Sequence, residues 1–326
     1  MKRTLADDVY EIAASLRRDQ LPMHEYGFLG DMVIKEYFIS TGVKNLDKDS
    51  TFSLAATVNG RIAGYISCSR NDFDSDIFGF SCFNINDLIV LENAREKTGE
   101  IVRLLLKGME NILTARSRPT YYLISLNNNT GDCDKIFNTL SGEGCYYVHT
   151  LLTFVSYSEN EKNRVSGKND DIIIRTAGKK DAEEVATIAR SAFRLSRFHM
   201  DPFLDNSRAD LLHFVSARNS LLGDFTDIMF VAEKDKRIIG YYSGKKNYYR
   251  ELGKTIGKAV ISAVSDKFRG YGVFNKLDDA LLNWFSENTD FAEMGTYLVN
   301  YPVHRTWITK GLPLIRGIHQ FSKFIR

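Results

Sequence analysis

Cysteine is scarce, with four in 326 residues (Cys68, Cys82, Cys133 and Cys145) and no Cys-x-x-Cys pair among them. So few and so scattered, they exclude a disulfide scaffold and a cysteine-built metal site, and they fit a reduced compartment. An excess of one charge is also lacking. Lys and Arg number 43 against 41 Asp and Glu, a formal net charge of +2. That balance argues against nucleic acid as the main partner, because phosphate binding needs a basic excess. Long apolar runs are missing too: stretches such as Leu88-Ile89-Val90-Leu91 are strand-sized, far short of the roughly 20 residues that cross a bilayer. The opening residues turn acidic at Asp7 and Asp8 before any hydrophobic segment, so they do not read as a secretory signal. The expectation is a cytoplasmic protein with no nucleic acid partner, no membrane partner and no metal.

What is present is the composition of an ordinary globular chain, 44% hydrophobic and 26% charged, long enough for two domains with a core each. The stretch 158–170 holds one apolar residue, Val165, and reads as a linker. It sets the expected division at 1–157, 158–170 and 171–326. The halves resemble each other. Residues 61–67 read Arg-Ile-Ala-Gly-Tyr-Ile-Ser and residues 237–243 read Arg-Ile-Ile-Gly-Tyr-Tyr-Ser, and each follows an apolar run and a polar turn, as in a β-hairpin. Further on, Val90 precedes Arg95 by the same spacing that separates Val264 from Arg269. Two matches in order, at offsets of 176 and 174 residues, point to a duplicated domain.

Helical spacing recurs at Val9, Ile12, Ala13 and Leu16, and at Ile101, Leu104, Leu105, Met109 and Ile112. In the second half it recurs at Val185, Ile188, Ala189, Ala192 and Phe193, and at Phe274, Leu277, Leu281 and Trp284. Strand-like runs lie at 172–174, 228–233, 238–248, 258–264, 294–299 and 314–325. The order β-α-α-β-β-β-α-β-α-β predicts an α/β chain whose mixed, mostly antiparallel sheet is flanked by helices.

The most informative stretch is 264–274, Val-Ser-Asp-Lys-Phe-Arg-Gly-Tyr-Gly-Val-Phe. An apolar strand runs into a turn with two glycines, and a helix opens straight after. Such a turn aims backbone N–H groups and the positive end of a helix dipole at one point, and Lys267, Arg269 and Lys276 add charge beside it. It is neither a Walker loop nor a dinucleotide glycine motif. Val264-x4-Arg269-Gly270-Tyr271-Gly272, with its Arg-x-x-Gly ending, resembles the acyl-coenzyme A motif of the Gcn5-related N-acetyltransferase (GNAT) superfamily. The resemblance implies two tandem GNAT-like domains and coenzyme A thioester as co-substrate. Val264 would sit by the thioester and pantetheine, and Arg269, Gly270, Tyr271, Gly272, Val273, Phe274 and Asn275 would form the phosphate loop. Phe274 stands where the family has a second small residue, so its side chain must point away from the phosphates.

At the matching place the first half reads Val90-Leu91-Glu92-Asn93-Ala94-Arg95-Glu96-Lys97-Thr98-Gly99. Thr98 replaces the glycine and two glutamates bring negative charge, so this copy is expected to have lost the coenzyme. A narrower resemblance rests on two segments. Residues 73–80, Phe-Asp-Ser-Asp-Ile-Phe-Gly-Phe, look like a stretch of nucleotide-sugar N-acetyltransferases, and Ser196-Arg197-Phe198-His199 is similar to a segment of TDP-fucosamine acetyltransferase. The implied reaction is acyl transfer to the amine of a nucleotide-linked amino-deoxy sugar, with Arg197, Phe198, His199, Asp201, Tyr242 and Trp307 as substrate contacts.

Amide formation needs a neutral amine and a leaving thiolate. A sugar amine with a pKa of roughly 8 is already partly neutral, so a weak base suffices. His199 is the candidate base, with Asp201 to orient it or bind sugar; a packing histidine is the alternative, and His213 and His304 are weaker candidates. The family's usual acid, a tyrosine seven residues after the strand-ending Asn300, is replaced by Trp307, and an indole is no proton source. Either the thiolate, of pKa roughly 8.5, leaves unassisted, or Tyr301 or Tyr297 substitutes; Trp307 then shapes the acyl pocket. Asn300 is expected to bond the pantetheine arm. Tyr241, Tyr242, Tyr248 and Tyr249 are expected near the cleft, for packing or for stacking on a base, beside Lys245, Lys246 and Arg250. The partners expected are a nucleotide sugar and acyl-coenzyme A, with the chain a monomer or homodimer. The other readings are an acyltransferase for another amine and a non-catalytic acyl-coenzyme A sensor.

Overall fold

The structure is a computed structural model and describes residues 1–46, 48–116 (Arg116 by its backbone only), 119–158, 171–223 and 225–326. The first half runs β1 (Lys2–Arg3), α1 (Ala6–Ser15), α2 (Asp31–Leu46), β2 (Thr51–Val58), β3 (Arg61–Arg70), α3 (Asp72–Phe78), β4 (Ser81–Val90), α4 (Thr98–Arg116), β5 (Thr120–Asn127), α5 (Cys133–Gly142) and β6 (Tyr146–Tyr157). The second runs β7 (Ile173–Thr176), α6 (Ala182–Ala192), α7 (Arg197–Met200), α8 (Asn206–Leu222), β8 (Ile228–Lys234), β9 (Arg237–Tyr249), β10 (Lys254–Val264), α9 (Val273–Asn288), β11 (Phe291–Tyr297), α10 (Tyr301–Thr309) and β12 (Leu314–Ile325). Of the expected linker, residues 159–170 lie outside the described residues, and Ser158 donates its amide to the carbonyl of Asp290 at 3.5 Å.

Packing divides the chain into Met1–Leu151 with Arg316–Arg326, and Leu152–Ile315. The final eleven residues therefore count with the first half, where the sequence reading placed 171–326 together. The reason is pairing: β12 lies antiparallel to β5 from Ile318↔Asn127 to Ile325↔Thr120.

In the first unit β1 to β4 pair antiparallel in succession, and β4 meets β5 in parallel. The second unit repeats the scheme with β7 to β10 antiparallel and β10 parallel to β11. Parallel neighbours need a crossover, which α4 supplies in one unit and α9 in the other. Each crossover helix buries a stripe at helical spacing: Ile101, Leu105 and Met109 in α4, and Val273, Leu277, Leu281 and Phe285 in α9. The repeated Arg-Ile-x-Gly-Tyr glycine has the same task in both units. A Cβ on Gly64 would stand 2.5 Å from Ile101, and one on Gly240 would stand 3.1 Å from the carbonyl oxygen of Ala263 and 3.2 Å from Val273. The glycine lets the helix close onto the sheet, and so sets where the helix begins.

Candidate functional site

The site is built at the end of β10. The amide of Ser265 donates to the carbonyl of Ile239 at 2.9 Å, fixing the strand's exit. A short turn follows, and then Gly270 (φ +85°) and Gly272 (φ +77°) place the chain in the left-handed region immediately before α9. A side chain there costs about 1–2 kcal/mol. Crowding is not the constraint, because a Cβ on either glycine would meet nothing within 4 Å. The space above the turn is open. Gly272 caps α9 without a side-chain hydrogen bond, and the helix's first amides have no carbonyl within the helix to bond. An uncapped 16-residue helix behind two left-handed glycines is suited to an anion. The Phe274 ring turns into the core, 5.6 Å from Tyr242 and 6.4 Å from Trp307, as expected of a side chain that points away from the turn. Arg269 braces the turn: its guanidinium donates to the carbonyl of Ala192 at 2.7 Å and pairs with Asp266 at 2.9 Å. Tyr271 is exposed beside Phe268.

Beyond the turn the sheet opens. β10 and β11 pair only from Ile256↔Phe291 to Lys258↔Glu293, yet they run on to Val264 and Tyr297. A bulge at Val260–Ile261 bends β10, and the Ser243 hydroxyl holds it, donating to the Ile261 carbonyl at 3.2 Å and accepting its amide at 3.3 Å. The gap thus has Val264 on one lip. Across it, Asn300 donates from its side chain to Thr296 at 2.9 Å and from its backbone to Tyr297 at 2.8 Å. Tyr301, first in α10, is 67% exposed.

Trp307 is 1% exposed. Its indole donates to Asp278 at 3.0 Å, and Lys310 reaches the other oxygen of that carboxylate at 2.6 Å and Asp279 at 2.7 Å. Burial pushes Asp278 above the usual carboxylate range, with the Lys310 and Trp307 contacts opposing. Tyr242, 3% exposed, is raised by burial and then by the nearby Asp278. Both aromatic rings therefore sit in the core under the loop. Tyr248 and Tyr249 are not at the cleft, contrary to expectation. Tyr249 pairs with Lys254 at the start of β10, ten residues or about 30 Å of strand from Val264, and Lys245, Lys246 and Arg250 share that far end. Hydrophobic run and turn residues show that a hairpin exists, but not which end of it faces the site.

The residues expected to meet an acceptor come together through α7. Asp210 Oδ1 lies 3.0 Å from His199 Nε2, His199 Nδ1 lies 2.8 Å from Ser196 Oγ, and Ser196 Oγ lies 3.0 Å from His213 Nε2. Burial, ahead of the charge of His199, pushes His213 down to about 3. The Arg197 guanidinium covers the Phe198 ring at 3.7 Å, and the backbone of Arg197 bonds the half-buried Tyr297, whose pKa is raised by desolvation. Asp201 Oδ1 accepts the amide of Phe203 at 3.0 Å, within its own turn. Asp210 and Asp278 escaped the sequence reading as partners, because they bond residues 11 and 29 positions away, and Ser196 was read only as part of its motif although His199 stands three residues on.

In the first unit the matching turn has no left-handed glycine. Thr98 is right-handed and opens α4 directly. Arg95 bonds Asp132 at 2.8 Å, and Arg17 bonds Glu92 at 2.6 Å and Asp132 at 2.9 Å. The motif at 73–80 folds as α3, where Ser75 donates to Asn71 at 2.6 Å and accepts the amide of Cys82 at 2.9 Å. Among the described residues no group of three or more His, Cys, Asp or Glu is placed to hold a metal ion, and no helix is long and apolar enough to cross a membrane.

The fold these features define is that of the GNAT acetyltransferases, present here in tandem. No protein-family model and no curated protein sequence matches the chain, but solved structures do. A tandem GNAT protein from the clavulanic acid biosynthesis pathway is 12% identical with a TM-score of 0.57, covering 99% of this chain and 97% of its own. A GCN5-related N-acetyltransferase from Sphaerobacter thermophilus is 11% identical with a TM-score of 0.60, covering 100% and 95%. A GCN5-related glucosamine N-acetyltransferase region of a fungal multi-domain β-N-acetylglucosaminidase is 12% identical with a TM-score of 0.64, covering 99% of this chain and 38% of that one. At such identities the likeness is one of fold.

Proposed function

We propose that the second unit is an N-acyltransferase that moves an acyl group, acetyl or a short hydroxyacyl, from coenzyme A to the amine of a nucleotide-linked amino-deoxy sugar. The dTDP-linked sugars of surface polysaccharide are the first to test. The observation that carries the reading is the turn at Gly270 and Gly272, with two left-handed glycines, open space above them and an uncapped helix behind. The amides of Gly270 to Asn275 would cradle the pyrophosphate, with Arg269 bracing the turn, and Val264 and Asn300 would line the pantetheine arm. The coenzyme supplies the activated acyl group. The chain supplies the anion cradle, the gap between β10 and β11, and an acceptor wall made by α7. An amino-sugar acceptor gains support from the glucosamine N-acetyltransferase region among the structural neighbours. That the first unit has lost the coenzyme is supported by its right-handed turn and its internal Arg17–Asp132–Arg95 pairing.

The test is thiol release. Acetyl- and 3-hydroxybutyryl-coenzyme A are crossed against TDP-, UDP- and GDP-amino-deoxy sugars and free amino sugars. Release with a nucleotide-linked sugar is expected. Release only with other amines would remove the sugar nucleotide and leave the acyltransferase. A second reading, an acyl-coenzyme A binding protein without turnover, is favoured by Trp307, whose locked indole occupies the family tyrosine's place. Tight coenzyme binding with no release from any pairing would establish it.

A further inference from the structure

The first unit has a gap of its own. β4 and β5 pair only from Ser81↔Thr120 to Ile85↔Ile124, yet they run on to Val90 and Asn127. The amide of Leu91 donates to the Ala63 carbonyl of β3 at 2.9 Å. Successive residues of an antiparallel strand turn their backbone groups to opposite sides, so the Val90 carbonyl faces away from β3, into the gap. In the second unit the matching bond runs from Ser265 to Ile239, and Val264 holds the same lip. A ligand lying between the strands would meet that carbonyl and the charged groups at the mouth. In the first unit both are taken, and by one stretch of chain, the connection between α1 and α2.

Gln20 donates its side-chain amide to the Val90 carbonyl at 2.7 Å. Glu25, farther along the connection, accepts the side-chain amide of Asn127, the last residue of β5, at 2.7 Å. The connection therefore crosses from one lip to the other. At the mouth, Asp19 accepts the amide of Gly131 at 2.7 Å and Arg17 Nε at 3.0 Å. Arg17 reaches on to Glu92 and Asp132, and Asp132 also holds Arg95, the counterpart of Arg269 in the loop. A Cβ on Gly131 would stand 3.3 Å from both Arg95 and Asp19, whereas one on Gly270 or Gly272 meets nothing within 4 Å. The connection is itself ordered. Arg18 donates to the carbonyls of Tyr26 and Leu29 at 3.4 and 3.1 Å, and Leu21 and Tyr26 are buried. Met23 is held at φ +60°, a conformation that a residue other than glycine keeps only where its surroundings impose it.

We infer that residues 17–25 are an internal ligand of the first unit, a strap seated across the gap that the second unit leaves open. The Asp19 and Asp132 carboxylates engage the cations and the backbone amide that would draw an anion. Gln20 engages the lip carbonyl that would draw a ligand's N–H. The first unit is thus closed by occupation as well as by the loss of its glycine, and the chain holds one coenzyme rather than two. That count rests on the acyltransferase reading of the second unit; the strap does not.

Amide exchange, limited trypsin digestion and coenzyme calorimetry on the full chain test this. The Gly131 amide should be protected in the wild type. It should exchange about tenfold faster in Asp19→Ala, the scale of one lost hydrogen bond, and recover in Asp19→Asn, which keeps an acceptor. The Leu91 amide, held by the sheet, should be unmoved in each. Trypsin should spare Arg17 and Arg18 in the wild type and cut there in Gln20→Ala. Calorimetry should give one coenzyme per chain in the wild type, and still one when Thr98→Gly restores the glycine beneath a seated strap. A wild-type Gly131 amide exchanging at the free-chain rate, or wild-type cleavage at Arg17 and Arg18, would overturn the strap. So would a second coenzyme in Thr98→Gly alone, since a seated strap already holds the lip carbonyl and the cations. A wild type that binds no coenzyme would overturn the acyltransferase reading, and the exchange result would still decide the strap.

Discussion

A buried neutral imidazole is a liability in acid, and His213 shows how large. Its ordinary value is 6.5 and burial lowers it to about 3. Between those limits the unfolded chain binds a proton that the folded chain refuses, so stability rises with pH across the window and is lost as the pH falls through it. The slope is at most about 1.4 kcal/mol per pH unit. His213→Phe keeps the stack on Phe193 and removes the titration. Denaturant melts at pH 4, 5, 6 and 7 should show a flatter dependence in the variant, and equal slopes would mean that the ring is solvated. Trp307 teaches the complementary lesson. Counting seven residues from Asn300 finds the tryptophan, but its partner Asp278 lies 29 residues back on α9. The pairing depends on how α10 meets α9, which the local sequence does not encode. The substitution was legible, whereas its consequence, a ring held in the core by a buried carboxylate, was not.

At the scale of elements, glycine does two different things for α9. Gly272 is needed for its left-handed backbone in open space, and Gly257 for crowding, since a Cβ there would stand 2.5 Å from Phe285 and 2.8 Å from Ala292. The two should separate in experiment. Gly272→Asp should fold, because aspartate tolerates the left-handed region better than most side chains, and should lose coenzyme binding by setting a carboxylate in the anion site. Gly257→Val should lower the thermal midpoint sharply by overpacking the helix against the sheet, at a cost of about 1–3 kcal/mol. Unchanged coenzyme affinity in Gly272→Asp, measured by calorimetry, would remove the loop from the site. Both hairpins, the crossover helices and the loop were legible because their signals are local: period-two runs, helical stripes, and glycines at a strand-to-helix turn. The bulge at Val260–Ile261 and the parting of β10 from β11 were not, since alternation along one strand says nothing of where its neighbour stops pairing.

The same limit governs the whole chain. Residues 314–325 announce a strand by composition, yet its partner β5 lies nearly two hundred residues earlier, and only the fold reveals that the chain's end completes the first unit. That dependence can be tested. Phe321 on β12 is fully buried in the first unit's core, 4.8 Å from Phe137 and 5.6 Å from Tyr147, and burying such a ring is worth about 1.5–3 kcal/mol by itself. Removing Arg316–Arg326 also strips β5 of its ladder with β12 and leaves an open edge beside the one it keeps with β4, a route to aggregation. The loop, α9 and both lips of the gap lie within Leu152–Ile315. The truncated chain should therefore lose the first unit, seen as rapid proteolysis confined to residues before Leu151, while coenzyme affinity persists. If both are lost together, the halves fold as one cooperative body, and the anion site depends on a strand that contributes no residue to it.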